Sequence, residues 1–198
     1  WVDRHISTAK GKVDNYFTRP MEQDKNRTAV IYVADGVEYS QKNIILMDCI
    51  EQAVQNSALA RMREEIGGTY SPAVQCSVDR KLGDQDQAAM LVPFECDPAQ
   101  SELLTNIAVE CIEDVAKKGP SSEIIEQTRQ YLLKNYAAAQ TKNSYWLHIL
   151  DGAAWHGVDM QDGYEAAVNA FTAAEVQQLA ARIVASGNRG MVSMSPQK

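Results

Sequence analysis

The sequence predicts an α+β fold, a two-layer sandwich in which a mixed, mostly antiparallel sheet carries helices packed on one face. Three observations predict it. Strand patterns open and close the chain and a hairpin pattern sits in its middle, with long helical stripes grouped between them rather than alternating strand by strand. The run Ala29-Val-Ile-Tyr-Val33 is apolar throughout, as in a strand covered on both faces, whereas Val74, Cys76 and Val78 alternate with polar neighbours, as in a strand with one buried face. No internal repeat or low-complexity linker divides the chain, so a single domain is expected over 1–198, with 45% hydrophobic residues to supply its core.

Residues 12–19 alternate through Val13, Asn15 and Phe17 and stop at Pro20, which predicts a first strand. Asp35-Gly36 turns the chain out of the apolar second strand. Ser40 supplies an N-cap acceptor for a long helix through Ile44, Met47, Ile50 and Val54, with an interruption expected at Asn56-Ser57. A helical run then carries Arg63, Glu64 and Glu65 on its last turn and ends at Gly67-Gly68. The chain is expected to restart extended at Thr69 and Tyr70, residue types that favour strands. Gly83-Asp84 joins the alternating strand to a returning one over 88–94, where Pro93 lacks a ladder donor and marks an edge or a bulge.

The stretch Asp97-Pro98-Ala-Gln100 opens a helix with an acceptor at its cap, proline at the first helical position and Gln after it. Leu104, Ile107, Ala108, Cys111, Ile112 and Val115 form its stripe, and Lys117-Lys118-Gly119-Pro120 stops it with favourable charge at the negative end. Ser121 and Ser122 are both candidate caps for a following helix striped by Ile125, Thr128, Leu132 and Tyr136. It is expected to reach Leu150, with loops at Asp151-Gly152 and over 157–163. A short helix from Tyr164 precedes a capping box, Thr172-Ala-Ala-Glu175, that opens the last helix. Gly187-Asn188 ends that helix, and Met191, Val192 and Met194 suit a closing strand.

Charge and hydropathy exclude several function classes. The net charge is -7 and no basic block exceeds a residue pair, so nucleic acid is not an expected partner. No apolar run approaches the ~20 residues of a membrane span. Cys49, Cys76, Cys96 and Cys111 are widely spaced, form no Cys-x-x-Cys pair and read as buried free thiols. The opening Trp1-Val-Asp-Arg-His5, without methionine or a leader, predicts a piece of a longer polypeptide.

The chemistry-bearing residue types do not assemble into a self-sufficient active site. His5, His148 and His156 offer no paired histidines with an adjacent glutamate, so no metal site is expected in this chain. Ser144, His148 and Asp151 have the residue types of a hydrolase triad, but on adjacent turns of one helix they lack a strained elbow and oxyanion donors. Tyr145, Trp146, Trp155 and Tyr164 read as core or interface aromatics, with a ligand cleft as the other reading. On residue types alone, Arg63, Glu64 and Glu65 are a solvated charge cluster and Tyr70 a strand aromatic.

The charged helix end Leu59-Ala-Arg-Met-Arg63-Glu-Glu, the paired glycine and Tyr70-Ser-Pro72 resemble the C-terminal, non-metal domains of the pitrilysin and insulin-degrading-enzyme family of zinc peptidases, in its bacterial processing-protease-like branch. Asp97-Pro98, Gly119-Pro120-Ser-Ser-Glu123, Asn143-Ser-Tyr-Trp-Leu147 and the stretch from Asn188 to Pro196 resemble it in the same order. The resemblance implies a fold like that of the mitochondrial processing peptidase. It implies a clamshell of two halves, in which a metal-bearing N-terminal half, on the same polypeptide or in a partner subunit, carries the zinc, and this half closes on the peptide substrate. By the same resemblance Tyr70 donates to the oxygen on which charge develops, and Arg63 holds a substrate carbonyl or orients Tyr70. Peptide binding by strand addition at a sheet edge and a periplasmic location are further implications. The chain alone is expected to be inactive, and a catalytically degenerate scaffold of the same fold is the alternative.

Overall fold

The computed structural model describes residues 10–81 and 85–197. Among the described residues five strands form one sheet: β1 (Lys12–Arg19), β2 (Asn26–Asp35), β3 (Gln75–Asp79), β4 (Gln87–Cys96) and β5 (Asn188–Pro196), in the order β1-β5-β2-β4-β3. Only β1 and β5 run parallel; the β5-β2, β2-β4 and β4-β3 pairs are antiparallel. The sheet is therefore mixed and mostly antiparallel, and the apolar run of β2 lies at its centre. The six α-helices among the described residues are α1 (Gln41–Ala58), α2 (Ser101–Lys118), α3 (Ser122–Ala139), α4 (Asn143–His156), α5 (Tyr164–Ala170) and α6 (Ala173–Ala185).

Strand alternation divides the sheet into two faces. Val30 and Tyr32 of β2 and Met90, Val92 and Phe94 of β4 join Ile50 of α1, Leu104 and Ile112 of α2 and Ile183 of α6 in one buried core. Within it, the hydroxyls of Thr28 and Ser193 pair across β2 and β5 at 2.9 Å, which removes the cost of burying them. The opposite face is open and displays Ala29, Pro93, Val192, Met194 and Phe17, neighbours by register. Pro93 sits where β4 has outrun β3, whose ladder stops at the Gln75–Leu91 pair. Its carbonyl accepts from Ala73 N at 3.1 Å, so its missing donor would have pointed the same way, to a side with no strand.

The caps follow the sequence closely. Ser40, Ser121 and Thr172 accept from Asn43 N, Ile124 N and Glu175 N, and Thr172–Glu175 forms the full capping box. Several expectations are corrected. Asn56-Ser57 does not interrupt α1; the helix instead widens at Leu59 into a π-helical turn, Leu59–Glu65. The opening turn of α2 is a 3₁₀ turn, Pro98–Gln100, capped by Asp97 accepting from Ala99 N. The helix from Ser122 stops at Ala139 rather than Leu150, because the turn that follows ties up its end: Thr141 Oγ1 donates to Ala138 O, and Trp146 Nε1 to Gln140 O, both at 2.8 Å. Asp151-Gly152 is no loop; it lies inside α4, with Gly152 buried. The turn at Gly83-Asp84 and the first histidine, His5, lie outside the described residues. No helix among the described residues is long and apolar enough to cross a membrane.

Candidate functional site

The corner after α1 is built from two helix carbonyls and two glycines with different jobs. The π-helical turn leaves carbonyls without helical partners, and Gly67 N and Gly68 N donate to Arg63 O and Met62 O, each at 3.0 Å. Gly67 takes the left-handed conformation at φ 63°, which a side chain disfavours. Gly68 is needed for space instead: a Cβ there would lie 2.8 Å from Leu104 Cδ1 in the core. Met62 and Ala58 are fully buried, so the turn is anchored from inside while Arg63 and Glu64 project outward.

Past the glycines the chain is not a strand, contrary to expectation. The ladder begins only at Gln75, and side chains of α1 hold the intervening segment. Gln55 donates from Nε2 to Pro72 O at 2.9 Å and accepts from Val74 N at 2.8 Å, and Glu51 accepts from Cys76 N at 2.8 Å. Gln55 and Glu51, one turn apart on α1, replace the hydrogen bonds that a β ladder would have supplied. Sequence reasoning missed both; their signal was two polar side chains four residues apart beside the buried stripe of α1.

This segment buries Thr69 and exposes Tyr70, which is 82% accessible. The Tyr70 ring lies 5.2 Å from Arg63 Cζ, a cation–π distance. The corner thus brings together the two residues singled out in the sequence. Tyr70 stands at the rim of a cavity of ≈ 660 Å³ on the open face of the sheet, floored by Ala29, Pro93 and Val192 and flanked by Phe17 and an Arg27–Glu95 ion pair at 2.8 Å. The groove crosses β1, β5, β2 and β4 and has an apolar floor with charge at one wall.

The other candidates do not assemble. Ser144, His148 and Asp151 all lie on α4, as the helical spacing anticipated. Among the described residues no group of three or more His, Cys, Asp or Glu is placed to hold a metal ion. The four thiols are free; burial pushes Cys49 up to about 11 and raises Cys76, Cys96 and Cys111, which makes them poor nucleophiles.

The architecture has close counterparts. The chain superposes on the periplasmic protease PqqL from Escherichia coli with a TM-score of 0.79 over 96% of its length at 16% identity. The fold is that of an M16 peptidase domain. A peptidase M16 inactive domain from Pseudomonas fluorescens gives a TM-score of 0.74 over 96% of the chain at 12% identity. The ferredoxin protease FusC, solved with Arabidopsis ferredoxin, gives 0.76 over 100% at 13%. The chain spans 21% of PqqL and of FusC and 44% of the inactive domain. The first half of PqqL, solved separately, gives 0.68 over 98% of the chain and 44% of its own length, at 10% identity. No family model and no curated protein sequence matches the chain.

Proposed function

We propose that this chain is the non-metal half-domain of a zinc-dependent endopeptidase, closing the peptide cleft over a metal-bearing half that lies elsewhere. One observation carries the reading: an exposed tyrosine, steadied by an arginine, stands at the rim of a peptide-sized groove. The M16 fold supports it, and so does the closer superposition on whole PqqL, 0.79, than on its first half, 0.68. The likeness to a periplasmic protease also supports a periplasmic setting.

In this reading attack on the scissile carbonyl belongs to the other half, and no step of it runs through a metal on this chain. Tyr70 donates its hydroxyl to the carbonyl oxygen as negative charge develops there. A donor fixed in place stabilises that charge more in the transition state than in the ground state. Arg63 limits the motion of the Tyr70 ring by facing it and presents a guanidinium to a neighbouring substrate carbonyl. The groove floor holds the peptide through apolar contact.

The test is peptide hydrolysis by the native polypeptide joined with its metal-bearing half, comparing the parent with Tyr70→Phe and Arg63→Ala at constant zinc content. Loss of one such donor lowers kcat by roughly 10²–10³-fold. Unchanged kcat with intact fold and metal would leave a scaffold domain of the same fold, and the catalytic reading would fall.

A further inference from the structure

A second cavity, of ≈ 240 Å³, lies among the helices between α1, α3, α4 and α5, away from the open face of the sheet. Tyrosines dominate its wall. Tyr136 stacks on Tyr164 with centroids 4.6 Å apart and planes at 27°, and Tyr145 meets Tyr136 edge-on at 6.1 Å and 80°. Tyr39, Gln41, Asn135 and His148 complete the polar lining, and Ile44, Leu132 and Ile149 contribute to the apolar floor. No lysine or arginine is among the lining residues. Ring faces are electron-rich and attract cations.

The surrounding field has the same sign. Asp48 follows Ile44 by one turn and so shares its face of α1. Burial and then the like charge of Glu51 raise its carboxyl to about 7. Tyr164 is pushed up to about 12 by burial and then by the Asp48 carboxylate; Asp159 adds to burial and Tyr136 in raising Tyr145. The space is below the usual range for a whole cofactor, roughly 300–1,000 Å³, and suits one side-chain head.

The helix beside the cavity is itself unfinished. Of the fourteen residues of α4 only Gly152 is buried, while Leu147 and Leu150 are 70% and 65% accessible and Trp146 is 40% accessible. A helix apolar on its outer face calls for a covering surface. We propose that the tyrosine-lined cavity between α3 and α4 anchors an arginine or lysine side chain of a protein segment that lies along α4. Charge complementarity selects this occupant: tyrosine rings line the cavity with no lysine or arginine among the lining residues, the Asp48 and Asp159 carboxylates lie near enough to act on Tyr164 and Tyr145, and the chain carries a net charge of -7. An anionic lipid surface is disfavoured by the same charge. This site is independent of the proposed peptidase role of Tyr70.

The test follows the indole N–H resonance of Trp146 while the chain is titrated with three probes: acetyl-arginine amide, acetyl-norleucine amide and the tetrapeptide acetyl-Arg-Ala-Ala-Leu amide. Arginine amide is expected to shift it saturably, norleucine amide at least tenfold more weakly, and the tetrapeptide to bind more tightly than arginine amide. Tyr164→Leu and Asp48→Asn each weaken arginine binding by about 3–30-fold. Asp48→Asn guards against a folding artefact, because it removes a buried charge. Tyr70→Phe leaves binding unchanged. Equal binding of norleucine amide, or full binding by Asp48→Asn and Tyr164→Leu together, overturns the cationic anchor. A tetrapeptide no tighter than arginine amide reduces the site to a pocket for a free guanidinium compound and overturns the segment. Self-association abolished by Leu147→Ser, without arginine binding, makes α4 a homodimer face and also overturns the proposal.

Discussion

Gly68→Ala tests the packing that positions the candidate site. The added methyl would lie 2.8, 3.0 and 3.2 Å from Cδ1, Cδ2 and Cγ of Leu104, a residue with no solvent exposure. Leu104 is walled in by the core, so relief requires an off-rotamer side chain or a shift of the Thr69–Tyr70 segment, and overpacking of this kind costs about 1–3 kcal/mol. Gly67→Ala is the control. Nothing lies within 4 Å of its Cβ position, and its cost is the left-handed backbone alone, about 1–2 kcal/mol. Stabilities come from urea unfolding with slopes compared. Leu104→Ala alone costs about 2–5 kcal/mol, but in combination with Gly68→Ala it vacates the contested space. The double variant is then more stable than additivity predicts by about 1–2 kcal/mol, whereas Gly67→Ala with Leu104→Ala adds to within ~0.5 kcal/mol. Additivity at Gly68, or an unperturbed Gly68→Ala, would refute the argument that this glycine is there for space.

Two further outcomes concern α1. The Asp48 carboxyl is raised to about 7 in the folded chain from an ordinary value of 3.8, so between those values the folded state binds the extra proton and stability falls as pH rises, levelling off above about 7. Asp48→Asn removes that slope; equilibrium unfolding across pH should show the variant more stable by up to about 4 kcal/mol at pH 8, at ~1.4 kcal/mol per pKa unit, and little changed near pH 4. Parallel pH curves would contradict the buried carboxyl. Gln55→Ala frees both Pro72 O and Val74 N from α1. It should cost about 1–3 kcal/mol and raise amide exchange at Val74 with β4 protection intact, and unchanged exchange there would show that the segment does not depend on Gln55.

What the sequence made legible was whatever local pattern and burial decide together. Lys12–Arg19 and the central strand are set by alternation, Pro20 and an unbroken apolar run, although that run is covered on one face only, with Ala29 on the open face, and the caps at Ser40, Ser121 and Thr172 are local chemistry. The π-helical turn was invisible, because Ala58 and Met62 recur at a spacing that an α-helix also satisfies. Asp151-Gly152 looked like a loop, yet one glycine costs a helix only about 1 kcal/mol and the surrounding Leu, Ala and Trp carry it through. Thr69 and Tyr70 have strand propensity, but the nearby backbone groups at Pro72 and Val74 are taken by Gln55 from a helix some twenty residues back. The pairing of Arg63 with Tyr70 came from resemblance rather than periodicity. The contact of Gly68 with Leu104 joins distant positions and leaves no local trace.

The parallel pairing of β1 with β5 gives the domain a mechanical character. The pair runs in register from Lys12 opposite Arg189 to Arg19 opposite Pro196, and is extended by Arg189 N to Gly11 O at 3.0 Å and Gln197 N to Arg19 O at 2.8 Å. Tension between the start of β1 and the end of β5 pulls on opposite ends of this ladder. It loads every rung in shear at once, where an antiparallel pair pulled at one end would unzip rung by rung. Strain arriving along the backbone would then be borne by the sheet as a rigid strap, leaving the helical layer and the Gly67–Tyr70 corner undeformed.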